Sequence, residues 1–167
     1  MSDIIVLANG KLSCTAGEFH CVLGKNGLTD DKKEGDWATP IGEFALRQLF
    51  WRPDKLDEPD SKLPKQALTT EDGWCDDPSH EHYNQYIKLP HDGSHENLWR
   101  PDDDLYDLII PIGYNDDPAI PGKGSAIFIH VARQEMTPTA GYIALRKEDL
   151  LHILPSLSTE SKIRIKI

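Results

Sequence analysis

The stretch Gly124-Ser125-Ala126-Ile127-Phe128-Ile129-His130-Val131 is the segment around which the rest of this chain is organised. It is a short apolar run without Asp, Glu, Lys or Arg, which predicts a buried strand. Alternation places Ser125, Ile127, Ile129 and Val131 on one face and Ala126, Phe128 and His130 on the other. Because both faces are mostly apolar, we expect a central strand. His130 comes near its end, at the border between the core and a cavity.

The next segment returns the chain to His130. Pro138-Thr139-Ala140-Gly141 predicts a turn, and Ile143-Ala144-Leu145 predicts a second buried strand. The turn therefore carries Gly141 and Tyr142 back towards His130, and we expect residues 130 and 142 to face one cleft.

This arrangement resembles the catalytic centre of the L,D-transpeptidase (YkuD) family. In that family a histidine ends one strand, and a Ser/Thr-x-Gly-Cys turn follows it. The resemblance makes His130 the base and Thr139-Ala140-Gly141 the turn, and it puts Tyr142 at the position of the nucleophilic cysteine. The spacing, 142 − 130 = 12 positions, is shorter than in many members. Ala140 stands where a second histidine is common, and Ala144 stands where an arginine is common.

A second signature, Thr39-Pro40-Ile41-Gly42-Glu43-Phe44, resembles the same family and precedes His130 in the expected order. The resemblance covers essentially the whole chain. It implies one L,D-transpeptidase-like catalytic domain over residues 1–167, mainly β, a β-sandwich or barrel with one or two short helices. The segments 73–78, 105–114 and 124–145 look most like a small subgroup without a secretion signal, some of whose members are cytoplasmic L,D-carboxypeptidases.

Hydrophobic patterns and turn-forming residues predict the remaining secondary-structure elements. Residues 3–8 are expected to form a first strand, 11–16 and 19–23 a hairpin around Gly17, and 105–113 a buried strand. Pro40 and Gly42 make a turn that leads Phe44 into a strand ending near Trp51. Residues 52–70 are expected to form an extended surface loop. A short helix is predicted over 147–154, and a strand with one buried face over 162–167.

Charge and composition restrict the partners. The chain has 18 Lys and Arg residues and 28 Asp and Glu residues, so its net charge is 18 − 28 = −10. This negative charge argues against nucleic acid as a partner. No apolar stretch approaches the roughly 20 residues of a transmembrane helix. The first ten residues lack the basic segment of a signal peptide. Three cysteines, Cys14, Cys21 and Cys75, suit a reducing compartment, so we expect a cytoplasmic protein.

The resemblance also assigns roles at the centre. His130 would accept the proton of the nucleophile, because a thiol attacks as the thiolate. Gly141 can adopt backbone angles closed to other residues, so that the amides of residues 141 and 142 can point at one oxyanion. Thr139 would orient the base or the turn.

Tyr142 departs from the family pattern. A phenol of pKa about 10 is only about 0.1% ionised at pH 7, so it does not replace a thiol in acyl transfer. A cysteine codon becomes a tyrosine codon through one nucleotide transition. We therefore interpret this chain as an inactive Cys-to-Tyr form, selected or engineered, with a natural pseudoenzyme as the alternative.

Substrate contacts are assigned next. Arg133 follows His130 by three residues and can grip a substrate carboxylate bidentately. Further candidates for the cleft are Trp74, His80, Asn84 and His95. Cys75 with His80 and His82 suggests zinc, but the Cys-x4-His-x-His spacing matches no common site. We predict neither a metal nor a cofactor.

Three functions remain open at this point. The first is an L,D-carboxypeptidase that removes terminal D-alanine from a muropeptide tetrapeptide during cell-wall recycling. The second is an L,D-transpeptidase that transfers the same acyl group to an amine and cross-links peptidoglycan. The third is a muropeptide-binding pseudoenzyme. They differ in the acceptor and in whether residue 142 reacts.

Overall fold

The computed structural model describes residues 2–167, which form fifteen short strands, one α-helix and one 3₁₀ helix. The strands are β1 (Ile4–Leu7), β2 (Lys11–Cys14), β3 (Gly17–Val22), β4 (Leu28–Thr29), β5 (Thr39–Pro40), β6 (Gly42–Ala45), β7 (Leu49–Trp51), β8 (Lys65–Ala67), β9 (Asp72–Cys75), β10 (Tyr86–Lys88), β11 (His95–Asn97), β12 (Leu108–Pro111), β13 (Phe128–Val131), β14 (Ile143–Leu145) and β15 (Lys162–Lys166). The helix α1 covers Lys147–Ile153, and the 3₁₀ helix Leu154–Ser156 follows it directly. The prediction of a mainly β chain with one or two short helices is confirmed.

Ten strands join into one sheet, in the order β6-β15-β1-β2-β3-β14-β13-β12-β7-β8. A second sheet has the order β10-β9-β11, and β4 pairs with β5. Within the large sheet β13 runs antiparallel to β12 and parallel to β14. The return after residue 138 therefore brings β14 alongside β13, with Ala144 opposite His130.

The core lies on both faces of β13, as its sequence predicts. Ile129 and Val131 belong to one apolar cluster, together with β1, β15 and helix α1. Phe128 belongs to the other, where the Trp74 ring meets it edge-on at 5.1 Å between ring centroids. His130 shares the face of Phe128. The histidine is consequently held on the side where the small sheet packs.

Three sequence expectations change in the structure. The strand expected over residues 124–131 is only β13, because residues 124–127 lie outside the strand and Ala126 has a positive φ of 56°. The strand expected from Phe44 to Trp51 is two strands, because β6 pairs with β15 while β7 pairs with β12. The expected surface loop 52–70 contains β8, and Leu63 and Leu68 are both 2% exposed. These leucines anchor the segment to the core, so it is not a loop throughout. None of the helices within residues 2–167 has the length and apolar character needed to cross a membrane.

Candidate active site

His130 lies near the end of β13 and is only 3% exposed. Its Nδ1–H donates a 2.8 Å hydrogen bond to the carbonyl of Val131, which fixes the tautomer with the lone pair on Nε2. Within residues 2–167, Nε2 is buried and has no hydrogen-bond partner. Burial lowers the pKa of His130 to about 4, and the carbonyls of Val131 and Leu105 offset only part of this effect. The imidazole is therefore a neutral base at pH 7.

Tyr142 lies directly against this base. The two rings meet edge-on with centroids 5.1 Å apart, and the tyrosine ring also stacks on Phe128 at 5.9 Å. Burial raises the pKa of the Tyr142 phenol far above its usual value, and the neighbouring Glu96 carboxylate raises it further. Residues 130 and 142 thus face one cleft, as the alternation of β13 and the return turn predict.

Glu96 on β11 connects two phenols at the floor of the site. The Tyr142 hydroxyl donates to its Oε1 at 2.9 Å, and the Tyr106 hydroxyl donates to its Oε2 at 2.8 Å. Burial raises the pKa of Glu96, although both phenols counter that shift. Tyr106 also meets His130 edge-on at 5.4 Å. The four side chains form one packed polar group beneath the cleft.

The cleft beside them has a volume of about 300 Å³. The residues that line it are Trp37, Glu96, Arg100, Leu105, Tyr106, His130, Ala132, Arg133, Thr137, Pro138, Thr139, Ala140, Tyr142 and Ala144. Trp37 is 48% exposed and so offers an apolar rim that a bound peptide can cover.

The turn at Gly141 requires a glycine. Its φ is +129°, and a Cβ at this position would lie 2.8 Å from the carbonyl oxygen of Ala38. Thr39 from the second signature holds the turn, since its hydroxyl donates to the Gly141 carbonyl at 2.9 Å and accepts the Gly24 N–H at 2.9 Å. The two signatures, far apart in sequence, therefore form one structural unit.

Thr139 braces the same turn from within. Its hydroxyl donates to the Tyr142 carbonyl at 2.8 Å and accepts the Gly141 N–H at 3.1 Å. Its own backbone bonds to Leu23 at 2.9 Å and to Lys25 at 2.8 Å. Because the Gly141 amide is engaged by this hydroxyl, a substrate oxyanion would have to displace Thr139 to use it.

Two arginines line the cleft and differ in their partners. Arg100 pairs with Asp103, with 2.8 Å between Nε and Oδ1. Arg133 is exposed, and among residues 2–167 it forms no salt bridge. Its guanidinium is therefore available to a ligand carboxylate.

The other sequence candidates lie outside the cleft lining. Trp74 is buried in the core, and its indole N–H donates to Asn84 at 2.9 Å. Asn84 is 4% exposed, and its amide donates to the carbonyls of Tyr114 at 3.0 Å and Asn115 at 2.8 Å. His80 contacts Asp92 in the loops of the small sheet, and His95, the first residue of β11, contacts the Gly93 carbonyl. Asn84 and Trp74 support the wall of the site from behind.

Sequence reasoning missed Glu96 and Lys32. Glu96 is one position beyond the candidate His95, and neighbouring residues of a strand face opposite sides. Lys32 is 6% exposed and pairs with Asp36, and its Nζ lies 3.6 Å from the position that a Gly141 Cβ would occupy. A lysine in a polar loop gives no sequence signal of burial.

A search of the curated proteins finds no match for this chain. Two crystal structures of the helical cell shape determining protein Pgp2 from Campylobacter jejuni, one of them of a point mutant, resemble it at 16% identity and TM-scores of 0.43 and 0.42. Each match covers 98% of this chain and 47% of the other, so the chain spans about half the length of these structures. The model of the YkuD family, described as the L,D-transpeptidase catalytic domain, matches residues 3–165. Because this match includes far more than half of the sequence, the protein belongs to the YkuD family of L,D-transpeptidase catalytic domains.

Proposed function

We propose that this chain is a cysteine-type L,D-carboxypeptidase of cell-wall recycling, carried here in an inactive Cys-to-Tyr form. One observation carries the proposal: the buried, unpartnered Nε2 of His130, a residue that lines the cleft beside Tyr142. A neutral imidazole in this position is the base that a thiol nucleophile needs. The substrate would be a muropeptide tetrapeptide that ends in D-alanine.

The reaction of the cysteine form follows from this base. Nε2 of His130 removes the thiol proton, and the sulfur attacks the carbonyl carbon of the bond to the terminal D-alanine. The tetrahedral intermediate then collapses, and the leaving amine takes the proton from His130. Water, deprotonated by the same nitrogen, hydrolyses the thioester and regenerates the thiol. Every proton passes through one side chain.

The phenol of Tyr142 does not carry this reaction. Burial and the Glu96 carboxylate both raise its pKa, so the phenolate population at neutral pH is negligible. The hydroxyl is also committed to Glu96 at 2.9 Å. The base is therefore retained beside a residue that it does not activate.

Arg133 is the proposed anchor of the substrate. The terminal D-alanine ends in a carboxylate, and the exposed Arg133 on the cleft forms no salt bridge within residues 2–167, although its charge acts on Asp103. A bidentate pair with it would place the scissile carbonyl between the anchor and residue 142. Thr139 and Gly141 would shape the turn on which the nucleophile stands.

A specific contact favours a second function, a muropeptide-binding pseudoenzyme. Tyr142 stacks on Phe128 and donates to Glu96, so it packs as a well-supported structural residue. Such a protein would bind the tetrapeptide without cleaving it. The third candidate, an L,D-transpeptidase, differs only in using an amine in place of water.

A mass-spectrometric assay of the products, run beside a binding titration of the Tyr142 and Tyr142→Cys proteins, separates the three. Tyr142→Cys protein is incubated with tetrapeptide, with and without an added D-amino acid. Release of D-alanine with tripeptide as the main product is the expected result. Dominant exchange of the D-amino acid would make the protein a transpeptidase. Tight binding by both forms without any product would leave the pseudoenzyme.

We propose a cytoplasmic location. The support is chemical: Cys14, Cys21 and Cys75 are all free thiols, as expected in a reducing compartment. Recycled muropeptides are small and soluble, so a cytoplasmic enzyme would act on fragments rather than on the intact wall.

A further inference from the structure

Three metal-ligating side chains meet outside the cleft, at one end of the small sheet. One ligand atom each from Cys75, His80 and His91 lies within 4.8 Å of the other two. Cys75 ends β9, His80 follows in the next loop, and His91 lies in the loop between β10 and β11. The Cys-x4-His-x-His spacing in the sequence comprises Cys75, His80 and His82. The structure brings in His91 instead, from beyond β10.

His91 has a ring nitrogen that lacks a partner. Its side chain is only 6% exposed, yet within residues 2–167 its Nε2 is buried without a hydrogen-bond partner. An unsatisfied buried polar atom of this kind destabilises the folded chain. A ligand that accepts the lone pair of Nε2 would remove that destabilisation.

The backbone of Gly93 passes close to this nitrogen. The point where a Cβ on Gly93 would sit is 3.2 Å from Nε2 of His91, 3.1 Å from Cδ2 of His80 and 2.9 Å from Oδ2 of Asp77. Two imidazoles and a carboxylate therefore converge at the one position in this loop that carries no side chain. A side chain here would push these groups away from one another.

Negatively charged side chains surround the three ligand residues. The carboxylates of Asp76, Asp77 and Asp92 all act electrostatically on the Cys75 sulfur. Asp92 also contacts Nε2 of His80 at 2.7 Å, and its side chain is 87% exposed, so it can move aside. A cation is the ligand that such a cluster favours.

We propose that Cys75, His80 and His91 bind one Zn²⁺ ion. Thiolate and imidazole are the ligands that zinc takes in tetrahedral sites, whereas magnesium and calcium prefer oxygen. The fourth position falls to water or to the Asp77 carboxylate. Binding displaces the proton of the Cys75 thiol, which leaves to solvent.

The ion would connect the two loops that support the wall of the cleft. The loop after Cys75 leads to Asn84, whose Oδ1 accepts the Ala126 N–H at 2.9 Å. The loop that carries His91 leads into β11 and Glu96. A zinc ion between them would fix both, so the role assigned is structural and independent of residue 142.

The test uses the whole chain without an affinity tag, stripped of metal by chelation and titrated with Zn²⁺ or Co²⁺ alone. One ion should bind per chain, and zinc should raise the melting temperature until a chelator reverses the gain. Cobalt should produce a thiolate-to-metal charge-transfer band. Cys75→Ser should abolish that band, and His91→Gln should weaken zinc binding by about 100-fold or more, since even outer partners of a metal site are worth about 10–100-fold.

Two variants serve as matched controls. His82→Gln removes a histidine close to the proposed site, and Cys14→Ser removes a cysteine on β2, away from it. Both variants should bind zinc as the parent does. Gly93→Ala keeps all three ligands but places a methyl group against the His80 and His91 rings, so it should fold and lose zinc affinity. This variant answers the question even if loss of a ligand prevents folding. The proposal is overturned if the metal-free chain binds no zinc, if Gly93→Ala binds it fully, or if the cobalt band survives Cys75→Ser.

Discussion

His130 should make the stability of this protein depend on pH in a defined window. Burial lowers its pKa to about 4 in the folded chain, whereas an unfolded histidine titrates near 6.5. Between these values the unfolded chain binds a proton that the folded chain excludes. The histidine therefore weakens the fold as pH falls from about 6.5 to about 4, and adds no such penalty above that range.

The magnitude follows from the shift. About 2.5 units at 1.36 kcal/mol each gives about 3 kcal/mol, a substantial part of the about 5–15 kcal/mol by which domains are stable. Glu96 acts in the opposite sense, because its pKa is raised and its stabilising contribution is lost as pH rises. The pH dependence of the parent's stability contains the contributions of both His130 and Glu96. The contribution of His130 is therefore obtained as the difference between the parent and a variant without this histidine.

The assay compares the parent with His130→Gln, in which residue 130 no longer titrates. Urea unfolding is followed by tryptophan fluorescence from about pH 8 to about pH 4. The free energy of unfolding of the parent should fall by about 3 kcal/mol relative to the variant across this range. His20→Gln, at an exposed position, controls for removing one imidazole from the unfolded chain. Parallel curves for the parent and His130→Gln would refute a buried neutral base.

Two further predictions concern substrate binding and the turn. In a Tyr142→Cys background, Arg133→Ala should lower kcat/KM by about 10–100-fold, the equivalent of about 1.5–3 kcal/mol for a charge-assisted bond. The exposed Arg146 offers a matched alanine control outside the cleft lining, and unchanged kinetics for Arg133→Ala would remove it from the site. Gly141→Ala should lower the free energy of unfolding by about 1–3 kcal/mol more than Gly27→Ala. Both glycines have positive φ, but only at position 141 would the new Cβ meet a carbonyl oxygen, 2.8 Å away. Equal losses of unfolding free energy in the two variants would show that the backbone shifts to avoid this contact.

The central strand could be predicted because its sequence obeys one simple rule. Neighbouring residues of a strand face opposite sides, so alternation alone puts His130 on the face of Phe128. The turn at Gly141 follows equally well, since Pro138, Thr139 and Gly141 are turn-forming residues. These elements position the base and residue 142.

Other parts depend on contacts that the sequence does not display. β11 reads His95-Glu96-Asn97, and a wholly polar strand gives no preference for either face, so Glu96 was missed. The bond from Thr39 to Gly141 joins residues 102 positions apart. His91 approaches Cys75 only because β10 pairs with β9 and returns the chain. Long-range pairing, not local propensity, decides each of these.

The most direct measurement is the reactivity of residue 142 itself. Iodoacetamide labelling with peptide mapping is run alongside tetrapeptide turnover in the unaltered chain, in Tyr142→Cys and in Tyr142→Cys with His130→Ala. We expect no turnover in the unaltered chain. Tyr142→Cys should gain a fast-alkylating thiol and D-alanine release together, and the added His130→Ala should abolish both. Turnover by the unaltered tyrosine protein at a rate near that of the cysteine form would contradict the account.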